Sequence, residues 1–278
     1  MAEPMPNNNN DRPRIAIGFF GITRSLKWTL PSIQKNIIAP ARELGETRLF
    51  AHFYQQGHIS NPRTGEDQPL DPNEYQLLGC DEVELEKPES CLAQANYEWI
   101  LSHGDAFHDD GKSLANLIHQ LHSLQHVGRM IDRWSPEVVV MARPDLIYHD
   151  SMHAEIFKQL NRSKNYISIP NWQWYGGYND RFCIGSQFSC QAYTNRFNLI
   201  RPYLEKADGP LPAERFLKFC LNQHGIIATP MRITASRIRS NGEVVKENFK
   251  PISIGKYLKR TIESTFNYLK IFAKSFAW

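Results

Sequence analysis

The chain lacks most of the features that would assign it at a glance. Its five cysteines are odd in number and none stands in a Cys-x-x-Cys pair, which argues against a disulfide framework and against a cysteine zinc site. No run of about eighteen apolar residues occurs, so nothing reads as a membrane span. The start, Met1 to Pro13, is polar, carries a run of asparagines and has no apolar segment of the signal-peptide kind. Neither GxxxxGK[ST] nor GxGxxG is present, which removes the P-loop and the dinucleotide fingerprint. There is no internal repeat. A reducing, cytoplasmic compartment is the default expectation.

What remains is an ordinary globular composition, 41% hydrophobic and 22% charged over 278 residues, enough for one large domain or two small ones. The net charge of +3 is unevenly spread: residues 230–278 hold ten Lys/Arg against three Asp/Glu, and the other 229 hold 22 against 26. An acidic body with a basic end gives little support to a nucleic-acid role.

The pattern alternates strands and helices, which predicts a layered α/β domain with a mainly parallel sheet. Strands are expected at 14–20, 47–54, 81–85, 138–142, 166–169 and 181–184, and an extended segment at 226–238. Helices are expected after Ser25, over 90–102, 113–134, 153–160, 188–204 and 214–224, and from Ile252 to Trp278. Residues 57–73, rich in Gly, Pro, Asn and Asp, read as a long exposed loop. Residues 1–13 read as disordered.

Two segments carry the chemistry. Val138-Val139-Val140-Met141-Ala142-Arg143-Pro144-Asp145 is a buried strand that ends on a guanidinium and a carboxylate. Ligands of open α/β sheets bind at the carboxyl ends of strands, so Asp145 is a candidate ligand for a divalent ion on a diphosphate, and Arg143 for the phosphates themselves. A structural ion pair is the alternative. The second segment, Trp172 to Ser186, begins as an aromatic loop. Trp172, Trp174, Tyr175 and Tyr178 suit stacking on sugars or bases, Gly176 and Gly177 suit close backbone approach, and Asp180, after Asn179, suits a general base. A loop packed on the core, with Asn179-Asp180 as turn residues, is the alternative. The first turn, with Gly21, Thr23, Arg24 and Ser25, is a candidate anion cradle, or else only a tight turn with a surface charge. His119, His122 and His126 share one helix face, but no carboxylate near them in sequence completes a metal set.

On a helical wheel the final segment gathers Lys256, Lys259, Arg260, Lys270 and Lys274 within an arc of about 100°, opposite Ile254, Leu258, Ile262, Leu269, Phe272 and Phe276. Such a helix lies on an anionic membrane surface or docks on its own domain.

Taken together these segments resemble a family of GT-A-like glycosyltransferases from bacteria, algae and viruses, many known only as domains of unknown function. The residues that carry the resemblance are Gly21-Ile22-Thr23-Arg24, Phe50-Ala51-His52-Phe53, Arg143-Pro144-Asp145-Leu146, the Gly176 to Ser186 block, Glu214-Arg215-Phe216-Leu217 and Gly225-Ile226, in that order. The resemblance implies a GT-A-like, Rossmann-like domain over residues 14–250, followed by a basic amphipathic helix over 251–278. It implies a nucleotide-sugar donor, a glycan or lipid-linked glycan acceptor, and Mn²⁺ or Mg²⁺ at Asp145. The nucleotide is then held by Gly21, Thr23, Arg24, Ser25 and Arg143. The sugars are held by Trp172, Trp174, Tyr175, Gly176, Gly177, Asn179 and Arg181. Asp180, or secondly Glu214, activates the acceptor. The family's usual Asp-x-Asp reads Arg143-Pro144-Asp145 here, so a cation stands where the first carboxylate belongs. That departure keeps open a catalytically inactive nucleotide- or glycan-binding module, or a peripheral membrane scaffold. The expected location is cytoplasmic, peripheral on the inner face of a membrane.

Overall fold

The computed structural model describes residues 12–61 and 65–259, together with 262, 263, 265 and 266. Of the N-terminal segment expected to be disordered, 1–13, residues 1–11 lie outside the described residues, as does the part of the expected final helix beyond Phe266. Arg12 and Pro13 are tied down: Arg12 donates to the Arg42 carbonyl at 2.8 Å and the Pro13 carbonyl accepts from Glu46 N–H at 2.9 Å.

The strands are β1 (Arg14–Gly21), β2 (Glu46–Tyr54), β3 (His58–Asn61), β4 (Glu66–Pro69), β5 (Glu82–Glu86), β6 (Val138–Ala142), β7 (Leu146–Tyr148), β8 (Tyr166–Pro170), β9 (Cys183–Ser186), β10 (Ile227–Met231) and β11 (Ala235–Arg237). Seven of them form one sheet in the order β10-β8-β9-β6-β1-β2-β5. All neighbours are parallel except around β9, which runs against both β6 and β8. The helices are α1 (Leu26–Ile33), α2 (Ala39–Leu44), α3 (Glu89–Gln94), α4 (Tyr97–Leu101), α5 (Lys112–Trp134), α6 (His153–Leu160), α7 (Gln187–Thr194), α8 (Ile200–Leu204) and α9 (Ala213–Gln223). The expected α/β architecture, a mainly parallel sheet flanked by helices, is the one observed.

Alternation along β1 builds the two faces of the core. Ile15, Ile17 and Phe19 face a cluster with Leu26, Ile33, Ile37 and Ile156 from α1, the turn after it, and α6. Ala16 and Phe20 face the opposite cluster, with Leu124, Val127, Tyr193, Leu217 and Leu221 from α5, α7 and α9. Between them Gly18 admits α5 closely: a Cβ there would lie 2.6 Å from Val127 and 2.9 Å from Ile131.

Two elements escaped the sequence pattern. The exposed loop at 57–73 contains an antiparallel hairpin, β3 with β4. A second antiparallel pair, β7 with β11, folds the segment after Met231 back over the end of β6, and Ile238 N–H donates to the Asp145 carbonyl at 3.0 Å. Both bring residues to the sheet's carboxyl edge.

Candidate functional site

A cavity of about 710 Å³ opens at the carboxyl ends of β1, β2 and β6. That volume falls within the range of small-molecule sites. Because Phe19 pairs with Ala142, β6 ends two residues short of β1, and their exit segments lie side by side. Asp145 is the centre of what they present. It is 2% exposed. Its Oδ1 accepts from Arg143 Nε at 2.9 Å, and its Oδ2 accepts from Arg143 Nη2 and Arg24 Nη2, both at 2.8 Å. Burial alone would raise this carboxyl, but Arg143 and Arg24 outweigh it and hold it well below the usual carboxylate range. Burial likewise works against the Arg143 charge, and Asp145 overrides it, pushing the guanidinium further up.

The network continues on both sides. Arg143 Nη1 donates to Gln120 Oε1 at 3.0 Å, and Gln120 Nε2 donates to Asp180 Oδ2 at 2.7 Å. Arg24 Nη1 reaches Glu66 Oε2 at 3.1 Å, and Glu66 also takes Arg239 Nη1 at 3.4 Å and Ser240 N–H at 3.0 Å. Arg181 and Arg237 line the same cavity and share the buried Glu247, at 3.1 and 3.0 Å. Five arginines therefore border one cavity, each held in place by a carboxylate.

Glu214, at the start of α9, faces the same space. Burial, and then the neighbouring Asp180 charge, push its carboxyl up to about 7. A carboxyl poised there exchanges protons at neutral pH. Gly177 explains how Glu214 is placed. A Cβ on Gly177 would lie 1.7 Å from the Glu214 carbonyl oxygen, and the next residue, Tyr178, donates its N–H to that oxygen at 3.0 Å. The glycine therefore seats the aromatic loop on the end of α9; its close approach is to Glu214.

Several expectations need correction. Trp172, Trp174 and Tyr178 are 0%, 3% and 1% exposed and belong to the two core clusters, so they do not reach the cavity. Each indole N–H finds a backbone carbonyl, Trp172 that of Ile233 at 2.9 Å and Trp174 that of Pro170 at 2.6 Å. Tyr175 is exposed, but it, Gly176, Gly177 and Asn179 are not among the cavity residues. Asn179 is a turn residue, donating to the Trp172 carbonyl and accepting from Arg181 N–H. Of the sugar-contact set only Arg181 lines the cavity.

The first turn is also less of an anion cradle than its glycine suggests. Gly21 N–H donates to Ser123 Oγ at 2.8 Å and Lys27 N–H to the Glu74 carboxylate at 3.2 Å. Thr23 and Ser25 are buried away from the cavity, and the Ser25 carbonyl starts α1 by accepting from Trp28 and Thr29. Gly21 and Arg24 are the members of that set that line the cavity.

A divalent ion at Asp145 fits poorly. A hard cation needs carboxylate oxygens turned toward it. Here both oxygens are turned toward guanidinium groups, and two fixed positive charges flank the position.

No family model matches the chain, and no curated protein matches it. Among solved structures, the apo crystal structure of mouse xyloside xylosyltransferase 1 is similar, with a TM-score of 0.40 and 10% identity, covering 78% of this chain and 84% of that chain. So loose a likeness carries no argument about residues, donor or acceptor.

Proposed function

We propose that the cavity is the donor site of a glycosyltransferase of GT-A-like fold. The observation that carries this reading is the guanidinium–carboxylate–guanidinium cluster of Arg24, Asp145 and Arg143 at the sheet's carboxyl edge, with Glu214 on the same cavity. In this reading Arg24 and Arg143 neutralise the diphosphate of a nucleotide sugar, the work a divalent ion does elsewhere, and Asp145 is the strut that fixes them. Glu214 takes the proton of the acceptor hydroxyl. The freed oxygen bonds to the anomeric carbon as the bond to the diphosphate breaks, and the leaving nucleoside diphosphate carries its charge onto the arginines. Asp180 serves by holding Glu214's proton affinity up. The acceptor is a glycan or a lipid-linked glycan.

A panel of nucleotide sugars in thermal-shift and turnover assays tests this. A stabilising donor that is then consumed, by transfer or slow hydrolysis, supports it; no response to any donor contradicts it. Stabilisation without turnover in the presence of acceptors favours the binding-module reading, which Arg143 in place of the first family carboxylate also supports.

A membrane-surface role rests on the C-terminal helix. Ile254, Leu258, Ile262 and Phe266, four residues apart, are 53% to 76% exposed, while Ile252 and Tyr257 pack on the core and Lys218 meets Glu263 at 2.7 Å. The helix is thus docked by one face and apolar on another. Among the described residues no helix is long and apolar enough to cross a membrane. Leu258→Glu with Ile262→Glu leaves the docked face intact and should abolish co-sedimentation with anionic liposomes; undiminished binding would end this part of the reading.

A further inference from the structure

A second polar cluster adjoins the cavity and takes no part in the chemistry above. His122 and His126 stand one turn apart on α5. The sequence offers them no neighbouring carboxylate, but the sheet does. His52 from β2 and Glu86 from the end of β5 close the set, with one ligand-type atom of each within 4.8 Å of the others. His119 is not part of it; its Nε2 lies 2.9 Å from the Pro88 carbonyl.

The hydrogen positions can be counted. Ser123 Oγ has one proton, which goes to the His52 carbonyl at 2.9 Å. The 3.0 Å contact between Ser123 Oγ and His52 Nδ1 therefore has the ring nitrogen as donor. His52 Nε2 is then a bare lone pair, and it faces Glu86 Oε2, another acceptor, at 3.3 Å. His126 repeats the pattern. Its Nδ1 donates to Glu84 Oε1 at 2.8 Å, leaving Nε2 bare. His122 Nε2 donates to Gln94 Oε1 at 3.2 Å, so its Nδ1 accepts; it takes the Tyr54 O–H at 2.8 Å and lies 3.5 Å from Glu86 Oε2. Lone pairs of His52, His126 and Glu86 thus converge, beside a His122 Nδ1 that the Tyr54 hydroxyl must release to take a cation. Every imidazole is already held through its other nitrogen, and Ser90 holds the other oxygen of Glu86. Such outer partners are what orient ligands around a metal.

We propose that His52, His122, His126 and Glu86 form a tetrahedral zinc site that clips β2, β5 and α5 together. Three imidazoles and one carboxylate select zinc over magnesium, calcium or manganese, which prefer all-oxygen sets. Four protein ligands make a closed, structural site. Bonds of roughly 2.0–2.1 Å set ligand atoms roughly 3.3 Å apart, and two of the observed separations, 3.3 and 3.5 Å, are there already. His126 and Glu86, the two part-exposed members, supply the remaining movement. The site is independent of the donor reading and stands or falls by itself.

The test uses the full chain, dialysed against EDTA and titrated with Co²⁺ as a spectroscopic probe, then with Zn²⁺. One equivalent of Co²⁺ should develop the intense visible absorption of a tetrahedral centre, Zn²⁺ should displace it, and the melting temperature should rise with either metal. His126→Ala should weaken binding more than about tenfold. Glu86→Gln should abolish the tetrahedral spectrum while leaving the metal-free melting temperature unchanged or higher, because an amide N–H can donate to His52 Nε2. No uptake, an octahedral spectrum, or wild-type affinity in His126→Ala overturns the proposal. So does a lower metal-free melting temperature in Glu86→Gln, which would mean that a proton already bridges His52 and Glu86.

Discussion

Two polar clusters lie at the carboxyl edge of the sheet, and they differ in how their charges are matched. Around Asp145 every close contact sets a donor against an acceptor: two guanidinium groups on one carboxylate, Gln120 between Arg143 and Asp180, Glu66 between Arg24 and Arg239. Around His52 the ring Nε2 is set against the Glu86 carboxylate, acceptor against acceptor, while His122 Nδ1 has the Tyr54 hydroxyl as its donor. The first arrangement matches its charges internally, with Arg24 Nε left buried and unpartnered, and turns both Asp145 oxygens toward guanidinium groups and not toward a metal. The second is incomplete and asks for one. Ionisable residues in a sheet-edge cluster therefore do not by themselves mark a metal site. What marks one is the direction of the lone pairs.

The most severe way to break this comparison is Asp145→Ala. It leaves two guanidinium groups facing each other without their counter-charge, and we expect a loss of about 3–5 kcal/mol in denaturant unfolding. A loss below about 1 kcal/mol would mean that water, not Asp145, satisfies the arginines. Loss of activity in that variant would follow from misplaced arginines, so the catalytic role is better tested elsewhere.

Glu214→Gln should lower kcat/KM for sugar transfer at least about 10²-fold with an unchanged melting curve. The sign of the pH effect follows from the raised carboxyl. A base must be deprotonated to act, so kcat/KM should fall as pH drops below about 7, and Glu214→Gln should abolish that fall. A wild-type profile flat from pH 5 to 8 would remove Glu214 from the mechanism. A smaller effect is expected from Gly177→Ala. Its Cβ would overlap the Glu214 carbonyl, costing about 1–3 kcal/mol of stability. Activity should fall further than stability predicts, because the start of α9 moves. A variant with wild-type activity would show that the loop does not position Glu214.

Much of the frame was legible in the sequence. Val138 to Ala142 is an apolar run fit only for a buried strand, and the leucine spacing from Leu114 to Leu124 reads as α5 directly. Gly21, Arg24, Arg143, Asp145, Asp180, Arg181 and Glu214 were read as site residues and do converge on one cavity. The aromatic loop misled because an aromatic stretch looks the same whether its partners are ligand or core; only the carbonyls of Ile233 and Pro170, far or unremarkable in sequence, decide it. Glu66 was hidden in a segment whose turn residues disguised a hairpin. Arg237 and Arg239 carried a usable signal, since alternate residues of an extended segment share a face. The histidine site could not be read at all from α5, because its other two ligands come from β2 and β5.

In the proposed reading, arginines stand in for a metal at the diphosphate. Calorimetric titration of a nucleoside diphosphate, UDP and then GDP, in the presence of EDTA tests it most directly. Binding should persist without divalent ions and weaken about 10- to 100-fold in Arg143→Gln, as loss of charge-assisted bonds requires. Binding that appears only with Mn²⁺ or Mg²⁺, or that keeps its wild-type affinity in Arg143→Gln, would contradict it.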